Sequence, residues 1–334
     1  MNQEICVAGN MIVDLLYPVR GLPGPGELTT IMDPILRSTG GAVCNVIGDL
    51  AVIDQNLPLA ALGRVGNDPE GSYVLETLGQ YKNIDLSMVR REGRTSFTAV
   101  MSDEISKERT FFHYRGANAA FCEEDIDWKK ISGCLLHVGY ILLLDALDSE
   151  DAGYGTKLAR MFFHAREHGI RTSVDVVSET GDRFKRLVPP ALKYTDYCVI
   201  NEVEAEQVTG VKLRDSKGSL LSANIPEALK AIRKCGVAEW VVIHCPEGGY
   251  GLDCRSGKYA QSPSINLQPE AIKGKVGAGD AFCAGVLYTA SRNNSLEEGL
   301  ELGNAAAAAS LTQPGAVEGM KSAGELKKMR AVYS

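Results

Sequence analysis

The nine cysteines never approach one another closely enough to form a CxxC pair. That absence excludes zinc-ribbon and dithiol redox chemistry, and an odd, scattered set suits buried thiols in a reducing compartment. There is no run of lysine or arginine either, and the net charge is −7, so the electrostatic footprint of a nucleic-acid binder is missing. Long apolar runs are also lacking. The most apolar stretch, Leu135 to Leu144, is half a bilayer span and contains His137. Met1 to Val13 is too short and too interrupted for a signal peptide. No internal repeat or low-complexity segment interrupts the 334 residues, a length within reach of one large α/β domain. The expectation is a soluble, cytoplasmic protein that binds neither nucleic acid nor membrane.

What is present is an alternation of apolar runs with helical periodicity. Ile5–Ala8, Leu59–Leu62, Leu135–Val138, Thr172–Val176, Tyr197–Ile200 and Trp240–Ile243 read as buried strands. Between and after them, Ala42–Ile53, Gly71–Gln80, Gly155–His168, Glu202–Val208, Pro226–Lys234, Asp280–Ser291 and Leu296–Leu311 read as helices. Such an order argues for a mostly parallel sheet covered by helices on both faces. Two segments break the rhythm, about 13–39 and about 94–117, where strand-like pieces have no helix between them. They are expected to form one small β-sheet. A sheet made from two excursions cannot bury both faces alone, so it should cover a ligand or a second subunit.

Chemistry concentrates in Gly274-Lys-Val-Gly-Ala-Gly-Asp280, which opens a helical segment. The glycines allow a tight turn and close approach of the backbone to a ligand. The free N–H groups of the following helix point at the same spot, so the turn over Gly277, Ala278 and Gly279 can act as an anion hole. Asp280 at its mouth can accept the proton of an attacking hydroxyl. On these residues alone an N-cap aspartate in a simple turn explains the pattern as well. No GK[ST] follows the glycines, which rules out a Walker loop. The segment His164-Ala-Arg-Glu-His168 fits a zinc-protease spacing, but a solvated helix face opposite Leu158, Phe162 and Ala165 accounts for it.

Gly277-Ala-Gly-Asp-Ala-Phe282 resembles the C-terminal signature of the ribokinase-like (PfkB) carbohydrate kinases. Gly40-Gly-Ala-Val-Cys-Asn45, followed by Gly63-Arg-Val-Gly-Asn-Asp68, resembles their N-terminal signature. Asn201-Glu-Val-Glu204 and Asn304 with its alanines fall in the same order. The resemblance runs from Ile5 to about Gly319. It implies a ribokinase-like fold with a small β-sheet lid, and a kinase that moves the γ-phosphoryl group of ATP to a sugar hydroxyl with Asp280 as base. Asp14, Gly40, Gly41 and Asn45 would then bind substrate. Asn201, Glu204, Gly248 and Asn304 would serve the nucleotide side, with Glu204 holding Mg²⁺ through water. Arg115 could hold a carboxylate or phosphate on the substrate, or be a strand-end surface charge. Because the small sheet needs cover for one face, two lids are expected to pair into a homodimer.

Departures from the family pattern narrow the picture. Gly274-Lys275 stands where Asp-Thr is usual, which removes a ligand for a monovalent cation and predicts insensitivity to potassium. Ile12 replaces an asparagine that contacts ribose in ribokinases, which makes ribose itself a poorer candidate. Cys245 replaces a glycine on the ATP side. Two alternatives remain open: a nucleoside kinase, given aromatic residues such as Phe97, Phe111, Phe112 and Tyr114 in the lid, and a non-catalytic sugar-binding regulator on the same fold.

Overall fold

The computed structural model describes residues 4–106, 108–131, 134–178 and 181–333. In chain order its strands begin with β1 (Ile5–Gly9), β2 (Ile12–Val19), β3 (Leu36–Gly40), β4 (Leu59–Val65), β5 (Ile84–Arg91), β6 (Ser96–Asp103), β7 (Arg109–Tyr114) and β8 (Leu135–Ile141). A short ladder of β9 (Glu150–Asp151) and β10 (Gly155–Thr156) follows. Then come β11 (Arg171–Val176), β12 (Tyr197–Asn201), β13 (Trp240–Cys245), β14 (Gly248–Asp253) and β15 (Tyr259–Pro263). The helices are α1 (Gly41–Ile53), α2 (Pro69–Leu78), α3 (Asp145–Asp148), α4 (Lys157–Glu167) and α5 (Arg183–Leu192). They continue with α6 (Glu202–Thr209), α7 (Ile225–Lys234), α8 (Ala278–Ser291), α9 (Leu296–Ser310) and α10 (Ala323–Tyr333).

The large sheet has the order β15-β14-β13-β12-β11-β8-β1-β4-β5. It is parallel from β5 to β13 and antiparallel at β14 and β15. Alternation along β1 sends Cys6 and Ala8 into one core and Ile5 and Val7 into the other, so this strand is apolar throughout because both its faces are buried. The first core also takes Leu158 and Phe162 of α4 and Leu229 of α7. The second takes Ile47 and Leu50 of α1, Phe282 of α8 and the alanines of α9. The alanine tract has a packing reason. α8 and α9 approach so closely that a Cβ on Gly285 would lie 2.8 Å from the Gly303 Cα.

The apolar strands fall where their composition puts them. The hairpin β14–β15 does not announce itself, because Gly249 and Gly251 interrupt the strand pattern. Those glycines make room for Phe282 and Leu296, whose atoms would stand 2.7 and 2.8 Å from an added Cβ. The helix expected from Gly155 starts instead at Lys157, where the Thr156 hydroxyl caps the Ala159 N–H, and His168 lies just past its end. His164 and His168 do not face a common point. His164 pairs with Glu123 at 2.5 Å, while His168 donates to the His164 carbonyl and stacks on Trp128 at 5.3 Å. Among the described residues no group of three or more side chains could hold a metal ion on its own. No described helix is long and apolar enough to cross a membrane.

The two irregular segments supply a separate four-stranded sheet of order β3-β2-β6-β7. β2 and β6, from different excursions, pair in parallel at its centre, and β3 and β7 flank them antiparallel. Register places Ser38, Asp14, Thr98 and His113 in one row across the sheet. Phe97, Phe112 and Tyr114 fall on the opposite face from that row.

Candidate active site

In an open parallel sheet, ligands bind beyond the carboxyl ends of the strands. Here the ends of β8, β11, β12 and β13 border a cavity of about 300 Å³, and the first turn of α8 closes it. Gly277 starts that turn at φ +78°, and a Cβ there would lie 2.6 Å from the Ala316 Cβ, so the position needs glycine. Asp280 lies in the helix's first turn, almost wholly buried. Both its oxygens accept hydrogen bonds. The Asn45 amide donates to Oδ2 at 2.8 Å, and the Tyr140 hydroxyl donates to Oδ1 at 2.7 Å. Burial pushes its pKa above the usual carboxylate value, and these two donors pull it part of the way back.

The predicted substrate-side residues converge from the other direction. Asp14 on β2 is held by Thr98, and burial, with the nearby Asp280 charge adding to it, pushes its pKa up to about 6. Gly40 has a steric role, since a Cβ there would strike the Asp14 carboxylate at 2.2 Å. Gly41 starts α1 at φ +83°, tight against Asn10. Asn45 on the same helix spends its amide on Asp280, and its Oδ1 is buried with no protein partner. Asp14, Gly40, Gly41, Asn45 and Asp280 are thus brought together. Arg115 is not free to join them in this arrangement. It donates to the Leu142 carbonyl at 2.7 Å and lies 3.6 Å from Asp145.

Asn201 and Glu204 form a reciprocal cap at the start of α6. The Glu204 carboxylate accepts from the Asn201 N–H at 2.9 Å, from its amide at 2.7 Å and from the Ser178 hydroxyl at 2.8 Å. Burial raises its pKa to about 7 against these bonds. With both oxygens engaged, Glu204 fits a magnesium ion only through water, which suits an ion that keeps most of its hydration and binds phosphate oxygens. Gly248 and Asn304 meet elsewhere, at the end of β15. The Asn304 amide donates to the Ser262 carbonyl at 2.8 Å, and a Cβ on Gly248 would collide with that same oxygen.

Sequence reasoning missed Tyr140, Asp175, Ser178 and His244, all of which line the cavity. Asp175 is buried beside Glu204 and Asp280, and its pKa is driven well up, chiefly by desolvation. Burial lowers the His244 pKa to about 4, and its ring packs on Phe282 at 5.0 Å. A signal was available. Tyr140, Asp175 and His244 are each a polar group at the carboxyl end of an apolar parallel strand.

Comparison with known proteins identifies the family to which this fold belongs. The model of the pfkB family of carbohydrate kinases matches residues 2–323. Fructokinase of Salmonella typhimurium is 27% identical over 332 residues, covering 95% of this chain and 96% of that protein. The bifunctional ribokinase/ribose-5-phosphate isomerase A of Fructilactobacillus sanfranciscensis is 24% identical over 222 residues, and the match spans 38% of its length. Ribokinase of Arabidopsis thaliana, solved with ribose and ATP, superposes with a TM-score of 0.80 at 22% identity, covering 99% of both chains. The chain belongs to the pfkB family of carbohydrate kinases, phosphotransferases with an alcohol group as acceptor.

Proposed function

We propose that the protein is a cytoplasmic ATP-dependent kinase whose acceptor is a hydroxyl of a sugar or sugar derivative held between Asp14 and Asp280. The observation that carries this is Asp280 itself, a buried carboxylate in the first turn of a helix whose free amides face a cavity. Asp280 takes the acceptor proton as the new oxygen–phosphorus bond forms and the bond to the β-phosphate oxygen breaks, releasing ADP. The amides of Gly277, Ala278 and Gly279 stabilise charge on the transferring group. Asp14 accepts hydrogen bonds from other substrate hydroxyls. Asn201 and Glu204 would order the waters of a magnesium ion, which supplies charge neutralisation on the phosphates. Gly248 and Asn304 lie on the nucleotide side, and Arg115 remains available to an anionic substrate group only by leaving the Leu142 carbonyl. The small sheet, formed by about 13–39 and about 94–117, serves as a lid over the substrate and joins two copies into a dimer.

The test is ATP consumption against a panel of sugars, sugar acids, polyols and nucleosides, followed by Asp280→Asn with the best acceptor. General-base contributions are on the order of 10²–10⁴-fold, so turnover should fall by about that much while ATP binding persists. A variant within about threefold of the parent would remove Asp280 from the role. A parent that consumes ATP with none of the acceptors would favour a sugar-binding regulator.

A further inference from the structure

The cavity at Asp280 is an unusual place for a polyanion. Asp175, Glu204 and Asp280 all border it, and all three are buried. A nucleotide triphosphate adds several more negative charges. The amides at the start of α8 offset part of this, equivalent to about half an elementary charge. One full cation lines the same cavity, Lys275, the only lysine or arginine among the described residues to do so. Its side chain makes no ion pair or hydrogen bond with any described residue, and the residue is exposed. By contrast, Arg115 is committed to Leu142 and Asp145, and Arg214 is committed to Glu202 and Glu247.

The backbone on both sides of Lys275 is closely packed, while its side chain is exposed and unpaired. On one side Gly274 is pressed against the Gln313 and Pro314 carbonyls, with 2.7 and 2.8 Å between those oxygens and an added Cβ. On the other side Gly277 is pressed against Ala316. An exposed, unpaired ammonium on this loop stands beside the Gly277–Asp280 turn. A compact point charge with three rotatable donors suits a group that shifts position during transfer.

We propose that Lys275 is a phosphate clamp, its ammonium contacting the β- and γ-phosphate oxygens of ATP bound at Gly277–Asp280. This rests on the kinase reading of the site. It gives the residue a direct part in catalysis, since charge gathered on the transferring group is stabilised by a cation that no other side chain of the cavity supplies.

The test compares magnesium-loaded ATP and ADP with AMP as calorimetric ligands for the parent, Lys275→Met and Lys275→Arg. The methionine variant should lose about tenfold or more in ATP affinity and less in ADP affinity, with AMP unchanged, and turnover should drop by roughly 10²-fold. The arginine variant should recover a large share of both. Because Lys275 is exposed and unpaired, thermal melting of the free variants should match the parent, which separates the effect from misfolding. If the parent binds all three nucleotides and the methionine variant keeps the ATP-to-AMP ratio within about twofold, the clamp is wrong and the kinase reading stands. If the parent binds none of them, the kinase reading fails and takes the clamp with it.

Discussion

At the scale of single residues, Asp280, the proposed base, is more tightly held than a free carboxylate at a helix start would be. Tyr140 and Asn45 each donate to one oxygen of Asp280, so the group is both oriented and kept ionisable despite its burial. Removing a hydrogen bond to a charged group costs on the order of 1.5–3 kcal/mol. The sign follows from which form the bond favours. The Tyr140 hydroxyl stabilises the carboxylate, so Tyr140→Phe raises the Asp280 pKa. The acid limb of the kcat profile should then move upward by about one pH unit or more, with the fold unchanged because the ring still fills its place. A limb that stays put would reduce Tyr140 to a packing residue. Asparagine at position 45 is harder to test in this way, because its Oδ1 is already buried without a partner and substitution disturbs α1 itself.

At the scale of elements, the loop before the Gly277–Asp280 turn bears on the expected response to ions. Family members with an aspartate at the position of Gly274 have a carboxylate to offset a monovalent cation. Here a side chain at that position would run into the Gln313 and Pro314 carbonyls. Carbonyl dipoles without a carboxylate hold such an ion weakly in water. Turnover should therefore be unchanged when potassium is exchanged for a large organic cation at constant ionic strength. Several-fold activation by potassium would show that the loop opens to admit it. The same scale shows what was legible in the chain and what was hidden. β1, β8, β11, β12 and β13 could be read because strands buried on both faces are apolar without interruption. α5 was obscured by Pro189 and Pro190, which look like a break, and β14 by glycines that serve Phe282 and Leu296. Asp280 could be found because a turn and a helix start are local patterns. The position of Tyr140 at a strand end was readable too, but its pairing with Asp280 was not, since the two lie 140 residues apart and only the sheet order brings them together.

At the scale of the whole molecule, the small sheet and its loops carry most of the large apolar side chains that are more than half exposed. Leu28, Ile35, Leu36, Ile105, Phe111 and Phe112 are all more than half exposed there, and clustered exposed apolar groups mark an interaction surface. Pairing of two such sheets should give a dimer by analytical sedimentation at micromolar concentration. Replacing Phe111 and Phe112 by serine should shift it toward monomer with little change in melting temperature, because neither ring is in the core. A parent that sediments as a monomer with and without nucleotide would refute the dimer.

Of the places where the chain passes between the large sheet and the small one, the first is clamped by a side chain. β1 ends at Gly9 and β2 begins at Ile12, so only Asn10 and Met11 lie between them. The Asn118 side chain grips Met11 as a strand would, accepting from its N–H at 3.2 Å and donating to its carbonyl at 2.9 Å. Asn118 stands where the second excursion returns to the core, so both excursions share this pivot. A lever hinged at Met11 moves least near the hinge. At about 3.3 Å per residue, Asp14 sits roughly 10 Å from the pivot and Val19 roughly 26 Å. A swing of about 10° would then carry the tip through roughly 5 Å and Asp14 through less than about 2 Å. On the proposed function, the far end would gate solvent and entry while Asp14 stays in register with Asp280.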